Sequence, residues 1–161
     1  MTVTSLDKDL DHLTLTLIAD FSAPVERVWQ VWADPRQLER WWGPPTYPAT
    51  VEQHDLSPGG DVSYFMTSPE GERHHGWWRV TSVDSPTSLE FTDGFADQDG
   101  KPIPDQPTTN MRVRLTERDG GTRMEMRSTF DSREQMEELV NMGMVEGLQE
   151  AVGQIDGILA G

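Results

Sequence analysis

The chain has 161 residues, of which 13 are Lys or Arg and 28 are Asp or Glu, for a formal net charge of −15. A field of that sign repels phosphate backbones and anionic headgroups, so nucleic acid and membrane surfaces are not expected as partners. With 35% hydrophobic residues, 14 Gly, 11 Pro and no cysteine, the composition fits one globular domain over residues 1–161 and excludes disulfides and thiolate chemistry.

The N-terminus carries acids where a signal peptide needs basic residues, and no stretch approaches about 18 consecutive apolar residues, so a cytoplasmic protein is expected. Leu13, Leu15, Leu17, Ala19 and Phe21 then alternate with Thr14, Thr16, Ile18 and Asp20, the period of a strand with one buried face. Pro24 suits the first turn of a helix, and Val25, Val28, Trp29 and Trp32 follow at the spacing of one helical stripe. Asp34-Pro35 repeats the cap-and-proline signal and opens a second short helix, with Leu38, Trp41 and Trp42 on its apolar side and a stop at Gly43-Pro44-Pro45.

From residue 48 to 130, strand-length runs alternate with turn residues, which predicts an antiparallel meander. The runs are 50–56, 61–67, 74–83, 88–93, 109–117 and 122–130, giving seven strands with the first. Met111, Val113 and Leu115 share one face with Met124, Met126, Ser128 and Phe130, while Arg112, Arg114, Arg123, Glu125 and Arg127 take the other, so one face is dry and the other wet. Residues 94–106 form a long polar connection, read either as a flap or as a surface insertion, with Phe95 and Ile103 as its only apolar anchors.

A final helix opens at Asp131-Ser132, where Asp131 with Glu134 or Ser132 with Gln135 makes a capping box. Met136, Val140, Met144, Leu148, Ala151, Ile155 and Ile158 form its apolar side, opposite Glu138, Met142, Glu146 and Gln149. About 28 residues at 1.5 Å each make a rod of roughly 40 Å, which only a broad curved sheet buries. The order predicts an α+β fold: a seven-stranded curved antiparallel sheet around one long C-terminal helix, with two short helices after the first strand. Such a sheet leaves a cleft beside the helix, the usual place for a small-molecule site.

The run Phe21-Ser-Ala-Pro-Val-Glu-Arg-Val-Trp-Gln-Val-Trp-Ala-Asp-Pro-Arg-Gln-Leu-Glu-Arg-Trp-Trp-Gly-Pro44 resembles the entry motif of the START/Bet v 1-like superfamily (SRPBCC), in the branch similar to the activator of Hsp90 ATPase. Asp55-Leu-Ser-Pro-Gly-Gly60, Ser68-Pro-Glu-Gly71, Gly76, Leu89, Phe91, Gly143 and Gly147 carry the likeness onward, so that it spans about residues 13–159, the expected core. It implies a helix-grip fold and, among relatives, hydrophobic-ligand carriers, cyclases and co-chaperones; the fold does not choose among these.

The interior chemistry favours a small apolar or aromatic guest. Trp32 and Trp78 are placed nearest the cleft, and Tyr64, Met66, Met111, Val113, Met124 and Met126 give it a polarizable wall. Gly143, Met144 and Gly147 line the helix side, the glycines either making room for a ligand or allowing close packing; each costs a helix interior about 1 kcal/mol. A second reading is a cofactor-free cyclase, aldolase or hydrolase with His54, Asp55 or Tyr64 as proton-handling groups. The third is a co-chaperone meeting an Hsp90-type protein. His74 and His75 are expected on the surface, no histidine spacing suits a metal, and no cofactor motif is present. Homodimer formation is left open by the sequence.

Overall fold

The computed structural model describes residues 2–160. In chain order the elements are β1 (Thr2–Asp9), β2 (Thr14–Phe21), α1 (Val25–Ala33), α2 (Pro35–Trp41), β3 (Ala49–His54), β4 (Asp61–Thr67), β5 (Arg73–Asp84), β6 (Ser88–Phe95), β7 (Thr109–Arg118), β8 (Gly121–Phe130), α3 (Arg133–Asn141), α4 (Met144–Val152) and α5 (Ile155–Ala160). The strands form one antiparallel sheet in the order β1-β2-β8-β7-β6-β5-β4-β3. The helices cover one of its faces, an α+β helix-grip arrangement.

Two expectations are corrected. The sheet has eight strands, not seven, because residues 2–9 pair with β2. Val3 and Leu6 are three apart and would face opposite ways in a regular strand. A register shift between Val3 and Ser5 sets Val3 opposite Ala19 and Leu6 opposite Leu17. Both apolar residues thereby pack on the core, and the bulge hides the alternation that a period-two reading needs.

The single C-terminal rod is also corrected: the segment is broken into α3, α4 and α5. Ser132 caps α3 by accepting from the Gln135 N–H at 3.1 Å, but the Gln135 side-chain oxygen makes no return bond among the described residues, so only the N-cap half of that capping box is formed. Gly143 then adopts φ +91°, the left-handed conformation that ends a helix and that glycine reaches without steric cost. Beyond it the buried side is kept by Ala151, Val152, Ile155 and Ile158. The chain can therefore turn while its apolar stripe stays on the sheet.

The remaining joints are fixed by hydrogen bonds. Asp34 caps α2 through the Arg36 N–H at 2.9 Å, with Pro35 in the first turn as expected. From α2, Arg36 donates to the Val51 carbonyl at 2.8 Å and Glu39 accepts from the Val51 N–H at 3.0 Å, which occupies backbone groups of the edge strand β3. Arg27 of α1 reaches the Ile158 carbonyl at 2.9 Å and the Gln37 side chain at 2.8 Å. Gln154, between α4 and α5, donates to the carbonyls of Trp41 at 3.3 Å and Gly43 at 2.7 Å. These bonds hold α1, α2 and α5 together over one half of the sheet.

Candidate functional site

The covered face of the sheet is solid at one end and hollow at the other. At the solid end Trp32, Trp41 and Trp78 are fully buried, with Trp42 almost so. Trp32 meets Trp41 edge-on at 4.7 Å between centroids, Trp42 meets Trp78 at 4.8 Å, and Trp78 stacks on Phe91 at 3.9 Å. Trp41 donates to the Val31 carbonyl at 2.8 Å. Among the described residues the indole N–H groups of Trp32, Trp42 and Trp78 have no hydrogen-bond partner. Met111, Val113, Met124 and Met126 continue this packing across β7 and β8.

At the other end a chamber of about 140 Å³ lies between α3 and the strands β4 to β7. Its walls are Met66, Phe95, Pro107 and Leu139, and its floor holds Tyr64, Gly76, Asp93 and Thr109. The chamber adjoins an open groove of about 810 Å³, with which it shares His74, His75 and Phe95 and whose far side is formed by the loop after β6 and by Met142. Met142 is 62% exposed at the break between α3 and α4. The polar connection of residues 94–106 is compact: Ala96 bridges Pro102, and the Asp97 carboxylate accepts from the N–H groups of Asp99 and Lys101, both at 2.9 Å.

The floor is built by one small residue. Tyr64 of β4 lies opposite Gly76 of β5, and a Cβ on Gly76 would collide with the phenol ring. Because Gly76 has no side chain, the ring lies flat across β5 and its hydroxyl donates to Asp93 Oδ1 on β6 at 2.9 Å. Asp93 follows Leu89 and Phe91 on the inward side of β6. Asp93 is half-buried, and its partial withdrawal from water pushes its carboxyl up to about 7, against the lowering effect of the Tyr64 hydrogen bond and of the Gly94 N–H. Burial, and then the Asp93 charge, push the Tyr64 phenol well above its ordinary value, while the indole N–H dipoles of Trp42 and Trp78 act in the opposite sense. At the rim His75 is half-buried, not surface-exposed as expected, although its neighbour His74 is exposed. His75 Nδ1 stands 4.0 Å from Glu52 Oε1, too far for a hydrogen bond, and has no other partner among the described residues.

Of the residues singled out from the sequence, Tyr64 and Met66 line the chamber. Trp32, Trp78, Met111, Val113, Met124 and Met126 lie in the filled core beside it. Gly143, Met144 and Gly147 lie outside its lining, and a Cβ at either glycine would meet open space, so neither admits a closely packed neighbour. His54 binds the Trp32 carbonyl at 3.0 Å, tying β3 to the end of α1. Asp55 is exposed in the turn before β4 and accepts from Ser57 at 2.6 Å. The sequence reading missed Asp93, Gly76, His75 and Leu139. The signal for Asp93 was an acid two residues beyond Phe91, at an inward position of an alternating strand. Among the described residues no group of three or more His, Asp or Glu side chains is gathered to hold a metal, and no helix is long and apolar enough to cross a membrane.

A curved antiparallel sheet, a broken C-terminal helix and a chamber between them define a helix-grip protein. The chain belongs to the family described as activator of Hsp90 ATPase homolog 1-like protein, whose model matches residues 22–160. It is similar to protein Ms6760 from Mycobacterium smegmatis, with 52% identity and a TM-score of 0.90 over 98% of this chain and 96% of that one. It is also similar to a protein from Arthrobacter aurescens, with 50% identity and a TM-score of 0.94 over 99% and 92% of the two chains. The AHSA1 protein from Silicibacter pomeroyi shares 25% identity at a TM-score of 0.71, over 91% and 97%. No curated protein matches the chain at a significant level.

Proposed function

We propose that this protein binds a small, mainly apolar or aromatic molecule between its sheet and α3, without a covalent step. The observation that carries this reading is the chamber of about 140 Å³ opening onto a groove at the end of the sheet that the tryptophans leave unfilled. An apolar cavity of about 150 Å³ accepts a benzene-sized guest, so one ring fits inside and a longer body extends along the groove. Thermal melts with a panel of small aromatic compounds test the reading, since a guest that binds only the folded state raises its stability by RT ln(1 + [L]/Kd). Rising melting temperatures, with NMR shifts concentrated at Met66, Phe95 and Leu139, are expected. A panel that moves neither the melt nor those resonances defeats the proposal.

One observation favours a second reading, a cofactor-free enzyme: the Tyr64–Asp93 pair has an acid held near neutral pH beside the space a guest would occupy. Mass spectrometry of each bound guest after prolonged incubation separates the two, because an enzyme converts it and a carrier returns it unchanged.

A further inference from the structure

The chamber is mainly apolar, with Asp93, Tyr64 and Thr109 at its floor and His74 and His75 at its rim. Its walls offer thioether, aromatic ring and aliphatic carbon, while the floor presents one carboxyl, that of Asp93. Among the described residues Asp93 makes no ion pair, and the groups that favour its charge, the Tyr64 phenol and the Gly94 N–H, are neutral. A carboxylate withdrawn from water and left without a cation is costly. The same group becomes an anchor when a guest supplies the missing positive charge, because a half-buried carboxylate meets fewer competing waters than one on the open surface. Tyr64, held across Gly76, occupies one lone pair of Oδ1 and fixes the carboxyl in place.

Resting on the reading of the chamber as a ligand site, we infer that the guest is an amine: a benzene-sized or smaller apolar group bearing one protonated nitrogen that pairs with Asp93 on the chamber floor, with Tyr64 holding the carboxylate in position. Two further features agree. The aromatic faces of Phe95 and Tyr64 border the same space and attract a cation through their ring quadrupoles. The net charge of −15 draws cations toward the protein and opposes anionic guests such as fatty acids.

The other titratable groups lining the chamber are Tyr64 on β4 and His74 and His75 on β5, with Glu52 beside His75; β7 and α3 contribute Thr109 and Leu139, which do not titrate. Amine binding needs Asp93 ionised. Its affinity therefore rises with pH through about 7, and between pH 5.5 and pH 8 the ionised fraction grows about thirtyfold.

Calorimetric titration with benzylamine, benzyl alcohol and benzoate, three probes that share a ring and differ in charge, tests the inference. At pH 8 benzylamine is expected to bind at least tenfold more tightly than benzyl alcohol, benzoate is expected not to bind, and the preference is expected to shrink at pH 5.5. Asp93→Asn, nearly the same size, should abolish the preference for benzylamine, whereas Tyr64→Phe keeps the carboxyl but removes the hydrogen bond that positions it and should reduce the preference without abolishing it. Circular dichroism confirms that each variant is folded, and the pH dependence of the unmodified protein needs no variant. Benzyl alcohol binding as tightly as benzylamine at pH 8, or an Asp93→Asn protein that keeps the preference, overturns the amine while leaving a ligand chamber standing. Failure of all three probes overturns both.

Discussion

The two ends of the covered sheet face obey the same alternation rule and reach opposite results. Under α1 and α2, four buried indoles interlock edge to face and one of them, Trp78, stacks on Phe91. Under α3 the inward positions are Gly76, Asp93 and Thr109, whose side chains are too short to fill the layer, and the one large ring, Tyr64, lies flat against the sheet. A rigid filled end fixes the helices, and that support lets the other end remain hollow without collapsing. Stability and binding are thus assigned to different halves of one sheet.

The largest effect expected from breaking this division is at the filled end. Trp78→Ala removes a fully buried ring stacked on Phe91 and should cost about 3–5 kcal/mol in chemical denaturation, the range for deleting a large aromatic side chain. A loss below about 1 kcal/mol would mean that the tryptophan layer is not what holds the helices.

The next effect is at the hollow end and has the opposite sign. Unfolded, Asp93 ionises near 3.8, and folded it ionises at about 7. Within that window the native state keeps a proton that the unfolded state has released, so this residue makes the protein less stable as pH rises. The loss totals about 4 kcal/mol and is complete above about pH 7. Asp93→Asn has no such loss. The difference in stability between Asp93→Asn and the unmodified protein should therefore grow in the variant's favour from pH 4 to pH 8, and a constant difference would show that the carboxyl is not withdrawn from water.

A smaller effect tests how the floor is built. Gly76→Ala places a methyl group against the Tyr64 ring and should cost about 1–3 kcal/mol, the usual penalty of overpacking. Because the cost arises from one contact, truncating Tyr64 to Leu in the same protein should recover much of it, a coupling that a double-mutant cycle reads directly. Additive penalties would place the strain elsewhere on β5.

Local chemistry was legible wherever a single residue type settles the matter. Asp34 before Pro35 and Ser132 three residues before Gln135 mark helix starts, and in the structure each side chain caps its helix. The alternation of β7 and β8 was read correctly because those strands pair without interruption. The first strand was not legible, since the bulge after Val3 shifts the period. The helix break at Gly143 was visible only as a cost without a cause: the apolar stripe runs through it unchanged, and the left-handed turn shows only in the backbone.

The candidate site divides in the same way. Tyr64 and Met66 were found from strand parity, whereas Trp32, Trp78 and the methionines beyond Met66 have the composition of a cavity wall and lie in packed core. The sequence by itself determined the antiparallel sheet, the helix caps and which face of most strands is dry, because each follows from the chemistry of neighbours along the chain, and its resemblance to known relatives pointed to the family. Only the tertiary structure decided which part of that dry face is filled and which is empty, and that Tyr64 crosses Gly76 to meet Asp93. Those outcomes depend on the volumes that distant segments bring to one place, and a linear pattern carries direction but not volume.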